Sequence, residues 1–119
     1  MSEEFEQETK TVEERAELAL RYLACTDEKH ARAKALLGAL QEHRKAVKAA
    51  VYIEQINTSK VAQGYAEQAA YASKEYAEII DKIEEAEINY MLLNNKRKRA
   101  ELTIELFRTH SANQRRGNM

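Results

Sequence analysis

An apolar repeat between residues 65 and 107 constrains this chain more than any other feature of its sequence. Residues spaced alternately three and four apart are apolar over six heptads, and only Arg97 interrupts the series. This series, named the seam here, consists of Tyr65, Ala69, Ala72, Tyr76, Ile79, Ile83, Ala86, Tyr90, Leu93, Arg97, Ala100, Ile104 and Phe107. A repeat of 3.5 residues keeps one stripe of a helix facing a partner helix. The seam therefore predicts a helix about 65 Å long that packs against another helix, from this chain or from another copy.

The composition predicts an all-α fold. The chain has 119 residues, no Pro and three Gly, and it is rich in Ala, Glu, Lys, Leu and Arg. That bias is typical of long helices, and without Pro few positions force the backbone out of a helix. We therefore expect an elongated antiparallel helical hairpin that resembles a coiled coil, carries a short N-terminal helix and assembles into homo-oligomers.

Capping and turn signals divide the chain into three predicted helices. Thr11 and Glu14 form a capping box ahead of the first helix. Thr26 and Asp27 offer an N-cap for the second helix, and Asn57-Thr58-Ser59 is the strongest turn signal after it. The sequence thus predicts a disordered acidic arm at 1–10, one helical domain at 11–110 with helices at about 11–25, 27–56 and 65–109, and a flexible basic tail at 111–119.

Apolar stripes predict which faces of the first two helices pack. The predicted stripes are Val12, Ala16, Ala19 and Leu23 in the first helix, and Ala33, Leu36, Leu40, His43, Val47 and Ala50 in the second. Gly38 lies within the second helix, where Gly is less favourable than Ala by up to ~1 kcal/mol. Close approach of another helix would account for this glycine.

The third predicted helix is longer than the second, so its end, from Tyr90 to Phe107, would overhang the hairpin. Further apolar residues lie off the seam in this region, at Ile88, Leu92, Leu102 and Leu106. This much apolar surface predicts self-association. Arg97 within the seam would lower stability but fix register and oligomeric state. The residues expected to form the oligomer seam are Tyr65, Tyr76, Ile79, Ile83, Tyr90, Leu93, Arg97, Ile104 and Phe107.

The sequence contains no arrangement of residues typical of catalysis. A di-iron helical bundle needs paired Glu-x-x-His motifs, and this chain has a single related motif, Asp27-x-x-His30. The other histidines, His43 and His110, are scattered along the chain, and the three glycines are isolated rather than grouped in a phosphate-binding loop. We therefore expect no enzyme activity, no metal, no cofactor and no small-molecule substrate.

Apolar runs and cysteine content predict where the protein resides. No apolar run approaches the ~18 residues needed to span a bilayer, and the acidic first residues differ from a signal or transit peptide. Cys25 is the only cysteine, which excludes an intramolecular disulfide and suits a reducing compartment. It follows Tyr22, Leu23 and Ala24, so a buried thiol is expected. These features predict a cytoplasmic protein without membrane contact.

The net charge of −1 conceals two oppositely charged ends. Residues 1–17 contain seven acids and two bases, whereas residues 96–119 contain seven bases and two acids. The basic end is either a solvated helix end in which Arg97 pairs with an acid, or a surface that contacts phosphate or an acidic partner. No aromatic residue is interleaved with the bases at 96–99 to stack on nucleobases. The residues expected to make such a contact are Lys96, Lys98, Arg99, Arg108, Asn113, Arg115 and Arg116.

The end of the chain, Glu105-Leu106-Phe107-Arg108-Thr109-His110-Ser111-Ala112-Asn113-Gln114-Arg115-Arg116-Gly117, contains an aromatic-arginine pair followed by a short Ser/Ala/Asn segment and two arginines. In this respect the chain resembles small uncharacterised bacteriophage and prophage helical-hairpin proteins, which often carry Trp at the position of Phe107. The resemblance implies a phage origin, a bacterial host cytoplasm and a place among early genes that handle DNA replication or recombination. It implies no catalytic residues.

Two functions are consistent with these observations. One is a phage accessory factor in DNA replication or recombination, which forms homo-oligomers and contacts DNA or a DNA-processing protein through its basic C-terminal end. The other is a structural or inhibitory protein that binds a host or phage protein and makes no nucleic-acid contact. A salt-sensitive shift of DNA on a gel would distinguish them.

Overall fold

The structure, a computed structural model, describes residues 11–59 and 62–117. Within these ranges the chain forms three α-helices and no β-strand: α1 (Val12–Ser59), α2 (Gln63–Tyr71) and α3 (Lys74–Gly117). The predicted all-α fold is confirmed. The predicted acidic arm at 1–10 lies outside the described residues. None of the described helices is both long enough and apolar enough to cross a membrane.

The start of α1 is the one expected from the capping signal. Thr11 Oγ1 accepts a hydrogen bond of 3.1 Å from the backbone N–H of Glu14, which satisfies one of the free amides of the first turn. Glu13 and Glu14 also place negative charge at the positive end of the helix dipole. Local sequence is therefore sufficient to set where α1 begins.

The predicted break at Thr26-Asp27 is wrong, because α1 continues through both residues without interruption. Thr26 Oγ1 donates a hydrogen bond of 2.6 Å to the carbonyl oxygen of Tyr22, one turn earlier. Threonine can cap a new helix or bond back to a preceding carbonyl inside an existing one, and here it does the second. The predicted short N-terminal helix is thus the first part of α1, which also runs through the expected turn at 57–59.

The packed face of α1 differs from the predicted one after this point. The spacing of three and four that begins at Val12 continues through Thr26 and His30, so the less exposed positions of the later part are Ala33, Leu37, Leu40, Arg44, Val47 and Val51. Leu36, at 52% exposure, and His43 lie on the solvent side instead. Ala33, Leu40 and Val47 were predicted correctly. Because the heptad was restarted at an assumed break, the positions between them were misplaced by one residue, to Leu36, His43 and Ala50. The same phase leaves Cys25 exposed rather than buried.

The predicted helix at 65–109 is two helices, separated by Ala72 and Ser73. Ser73 Oγ accepts a hydrogen bond of 3.1 Å from the N–H of Tyr76 and donates one of 2.8 Å to the carbonyl of Ala70, so one hydroxyl caps α3 and closes the turn after α2. On the N-terminal side of this break the buried residues are Ala66 and Ala70, each one position after the predicted Tyr65 and Ala69. Tyr65 itself is 62% exposed.

The C-terminal boundary also differs from the prediction. Residues 111–117, expected to form a flexible tail, are the last turns of α3, which ends at Gly117. Ser111 and Ala112 are half-buried in these turns. No Pro or internal Gly interrupts the helix between Lys74 and Arg116, so nothing local stops it earlier.

The helices form two compact units. The first, named the terminal unit, contains residues 11–30 of the start of α1 and residues 92–117 of α3; Ala16, Ala19, Leu93 and Ala100 are buried in it. The predicted overhang is therefore wrong for 92–107, because the start of α1 covers this stretch. The second, named the central unit, contains the described residues between 31 and 91; its buried residues are Ala33, Val51, Ala66, Ala70, Ile79, Ile83 and Ala86.

Candidate interaction surfaces

Arg97 is held inside the terminal unit by oxygen atoms of α1. Its Nη1 donates to the carbonyl oxygen of Leu23 at 3.0 Å and to Thr26 Oγ1 at 2.8 Å. Its Nη2 lies 3.3 Å from Asp27 Oδ1. The Arg97 side chain is only 14% exposed, whereas that of Asp27 is 81% exposed. The two neutral acceptors therefore hold this guanidinium more than the solvated carboxylate does.

Thr26 is both acceptor and donor in this arrangement. Its hydroxyl accepts from Arg97 and donates to the Tyr22 carbonyl, so both hydrogen-bonding roles of the side chain are used. One turn further along α1, His30 Nε2 lies 3.3 Å from Asn94 Oδ1. We name Thr26, His30, Asn94 and Arg97 the polar layer. Because residue 26 meets 97 and residue 30 meets 94, the two helix segments run antiparallel within this unit.

The polar layer specifies how the two segments pair. Polar side chains at seam positions stabilise less than apolar ones, but they pair correctly at only one alignment. The sequence predicts such a role for Arg97 between subunits. In the structure Arg97 contacts α1 of its own chain, so the alignment it selects is that of α3 on α1.

The other predicted seam residues pack within the chain to different extents. Ile79, Ile83 and Leu93 are buried, and Tyr76, Tyr90, Ile104 and Phe107 are half-buried. Tyr65 is exposed, as described above. α1 already covers part of the apolar stripe that these residues form. Assembly into oligomers through them stays a prediction.

All seven residues predicted to contact an acidic partner are exposed on α3: Lys96, Lys98, Arg99, Arg108, Asn113, Arg115 and Arg116. They surround the helix rather than lining one face, and Arg108 pairs with Glu105 at 2.9 Å. Within the described part of the chain, no carboxylate pairs with the other five cations. We name these five (Lys96, Lys98, Arg99, Arg115 and Arg116) the basic segment. Arg115 and Arg116 lie in the last turn of α3, where the helix dipole favours positive charge.

A second repeat of three and four residues runs along the outside of α3 in the terminal unit. It passes through Leu92, Asn95, Arg99, Leu102 and Leu106, and its three leucines are 59%, 67% and 56% exposed. We name these five residues the outer face. Exposed apolar residues at this regular spacing are typical of a surface that receives another helix.

A cluster in the central unit was not predicted from the sequence. Lys48 of α1 donates a hydrogen bond to the Tyr71 hydroxyl, lies 4.1 Å from the centroid of the Tyr71 ring and lies 3.6 Å from Glu67 Oε1. The Tyr71 ring meets Tyr76 edge to face, with centroids 5.4 Å apart and planes at 88°. The hydrogen bond to Tyr71, more than the neighbouring Glu67, raises the pKa of Lys48 above its usual 10.5. These residues are far apart in sequence, so only the folded chain brings them together.

Within the described residues, no group of three or more His, Cys, Asp or Glu side chains is placed to hold a metal ion. The chain matches no protein-family model, no curated protein and no solved structure.

Proposed function

We propose that this protein is a non-enzymatic helical interaction protein that binds DNA through the basic segment of α3. The observation that carries the proposal is that five cations of one helix are exposed and lack a carboxylate partner in the described part of the chain. Cations that are not neutralised within the protein release counterions from DNA when they bind its phosphates. Arg97, by contrast, is occupied by α1 and is not available to a partner.

The arrangement of the basic segment suits phosphate contact more than base recognition. Its side chains project around α3, and no aromatic residue lies among the bases at 96–99 to stack on a nucleobase. Contacts of this kind position a protein on a nucleic acid without reading its sequence. The resemblance to phage proteins supports a role as an accessory factor in DNA replication or recombination, with binding that depends little on sequence.

Fluorescence anisotropy with single- and double-stranded DNA tests the proposal. For duplex DNA, log K should fall with log salt with a slope of about −4 to −5 if all five cations contact phosphate. The Arg115→Ala/Arg116→Ala double variant should reduce the magnitude of that slope by about 2. Lys82→Ala, which removes an exposed cation of α3 outside the basic segment, is the matched control and should leave the slope unchanged. Binding that is absent, or that does not respond to salt, would remove DNA from the proposal.

A second candidate function, self-assembly through the outer face, is favoured by the exposed leucines. Lys98 and Glu105 lie beside Leu102 on the same flank of α3, together with Glu101. If two copies pair in antiparallel orientation with Leu102 of each against Leu106 of the other, the two-fold axis lies near residue 104 and these leucines of one copy cover those of the other. The outer face can thus bury Leu102 and Leu106 against a second copy of itself.

The mass in solution tests this second candidate. Leu102→Asp should convert an oligomer to a monomer in sedimentation equilibrium, because it places a charge at the centre of the pairing. Leu36→Asp, at a similarly exposed leucine of α1, should leave the mass unchanged. A wild-type protein that sediments as a monomer at all concentrations would exclude self-assembly.

A further inference from the structure

A concavity of about 270 Å³ lies in the central unit, beside the Lys48–Tyr71 contact. It is lined by Arg44, Lys45, Lys48, Tyr71 and Tyr76, three cations and two aromatic rings. Pockets for drug-sized ligands range from roughly 300 to 1,000 Å³, so this one suits a single small charged group with part of an attached ring. All five residues belong to one compact unit.

The hydrogen-bond donors of the concavity are not used up by the protein. Arg44 is half-buried, and no carboxylate in the described residues pairs with it. The Tyr71 hydroxyl accepts from Lys48, and its own hydrogen has no acceptor among the described residues. A guanidinium, an ammonium and a phenolic O–H therefore border the same space.

The carboxylates nearby do not neutralise the site. Glu42 pairs with Lys45 at 3.2 Å, and their side chains are 75% and 67% exposed. Glu67 lies 3.6 Å from Lys48 and is 56% exposed. Solvated ion pairs of this kind contribute little free energy, so an entering anion can compete with them. Three bases against two carboxylates leave the lining positive.

We propose that this concavity binds the phosphate of a nucleotide, either free or at the end of a nucleic-acid strand. A phosphate offers three oxygens to the three kinds of donor, and the planar guanidinium of Arg44 matches two of them at once. The ring of Tyr71, 49% exposed, offers an aromatic surface to the attached base. Lys48 is protonated at neutral pH, as phosphate binding requires. The site shares no residue with the basic segment, so it is independent of the function proposed above.

Titration of the full-length protein followed by NMR tests the proposal. The probes are inorganic phosphate, adenosine 5′-monophosphate, and a thymidine oligonucleotide with or without a 5′-phosphate. Each phosphate monoester should shift the ring resonances of Tyr71, assigned by their loss in Tyr71→Leu. An oligonucleotide with a 5′-phosphate that binds no better than the mononucleotide indicates a free nucleotide, and one that binds much better indicates a strand end.

Variants identify the groups that hold the phosphate. Arg44→Gln and Lys48→Met should each weaken mononucleotide binding by about tenfold or more, since each removes a charge-assisted contact. Tyr71→Phe keeps the ring but loses the O–H, and it should weaken binding by only about two- to tenfold. Lys34→Gln, at an exposed lysine of α1, and the Arg115→Ala/Arg116→Ala variant should bind as the wild type does. Unchanged Tyr71 resonances, or equal losses in Lys34→Gln and Arg44→Gln, would overturn the proposal.

Discussion

Arg97 meets three oxygens of α1, and two of them belong to neutral groups. The Leu23 carbonyl and the Thr26 hydroxyl are also occupied by partners within α1, so neither depends on Arg97 to be satisfied. Arg97, by contrast, depends on these two acceptors, because its side chain is only 14% exposed. Arg97 is therefore the member of the polar layer that is most sensitive to changes in the others.

Thr26→Val should lower the free energy of unfolding by about 1–2 kcal/mol, because it leaves Arg97 without its closest acceptor. In an Arg97→Leu background the same substitution should have an effect below about 0.5 kcal/mol. Arg97→Leu alone should be neutral or stabilising by up to about 1 kcal/mol, since no buried group loses its partner. Denaturant unfolding of the four proteins provides the measurement.

Thr103→Val is the matched control for this cycle. The Thr103 hydroxyl donates only to the carbonyl of Arg99 in its own helix, at 2.9 Å, so its loss should not couple to Arg97. An effect of Thr26→Val that is equal in both backgrounds would show that Arg97 does not rely on that hydroxyl.

Lys48 gives a prediction for alkaline pH. Its pKa is raised in the folded protein, chiefly by the hydrogen bond to Tyr71, so its contribution to stability is present below the unfolded pKa of 10.5 and is lost as pH rises through the folded value. The difference in thermal stability between wild type and Lys48→Met should therefore shrink above about pH 10.5. A scan of melting temperature from neutral pH to pH 12 measures it, with Lys34→Met as control. A difference that persists at the highest pH would contradict the role of the protonated amine.

At the scale of the helices, the periodicity of apolar residues predicted much of the fold. It failed where a local helix-capping signal competed with the apolar repeat. The seam from Tyr76 onward predicted which side of α3 would be buried, and Ile79, Ile83 and Leu93 lie where it placed them. On α1 the same spacing passes through Thr26 and His30, but Thr26 and Asp27 had suggested an N-cap and therefore an interruption. Thr26 bonds back to the Tyr22 carbonyl inside α1, whereas a threonine can equally cap a new helix, so residue type alone does not decide between the two.

The break at Ser73 was missed for a related reason. No Pro or Gly marks it, and the surrounding alanines favour helix. Serine inside an apolar repeat is a weak signal for a helix start. Here its hydroxyl nevertheless hydrogen-bonds both to the end of α2 and to the first turn of α3. On the N-terminal side of this turn the buried face includes Ala66 rather than Tyr65.

Gly38 provides a test at the level of α1. A Cβ built at this position meets no atom within 4 Å, so close approach of another helix, as expected from the sequence, does not explain the glycine. Gly38→Ala should raise the free energy of unfolding by about 1 kcal/mol, because alanine loses less conformational entropy in a helix. Denaturant unfolding measures this change. A destabilised Gly38→Ala variant would indicate that another molecule packs against this position.

At the scale of the whole chain, charge is distributed more unevenly than the net value of −1 suggests. The acidic first turn of α1 belongs to the same compact unit as the basic segment of α3. At low salt the Debye length of roughly 30 Å allows these charges to oppose DNA binding. We therefore expect these acids to weaken the proposed DNA binding at low salt.

The Glu13→Gln/Glu14→Gln variant should bind DNA about two- to fivefold more tightly at an ionic strength of about 0.01 M, with the gain largely lost near 0.15 M. Anisotropy titrations at the two ionic strengths measure it. Glu54→Gln, an exposed acid of the central unit, is the control. Equal gains at both ionic strengths would point to a structural effect of the substitutions instead.

The candidate sites differ in how far sequence could predict them. The basic segment was visible as a run of charge, because exposed residues on a continuous helix need no tertiary information. The Lys48–Tyr71 concavity was not, since it requires α1, α2 and the start of α3 to be brought together. Arg44 in particular occupies a less exposed position of α1, where the predicted phase had placed His43.

The small side chains between the helices of the terminal unit have a consequence for folding. Alanine surfaces look nearly alike at every heptad, so α3 could slide about 10 Å along α1 and still find a similar apolar fit. After such a slide towards the start of α1, Arg97 would face Ala16 and Ala19, which offer no oxygen atom in their side chains. In a chain that lacks this guanidinium, the His30–Asn94 contact is the part of the polar layer that still distinguishes the native register from a slipped one.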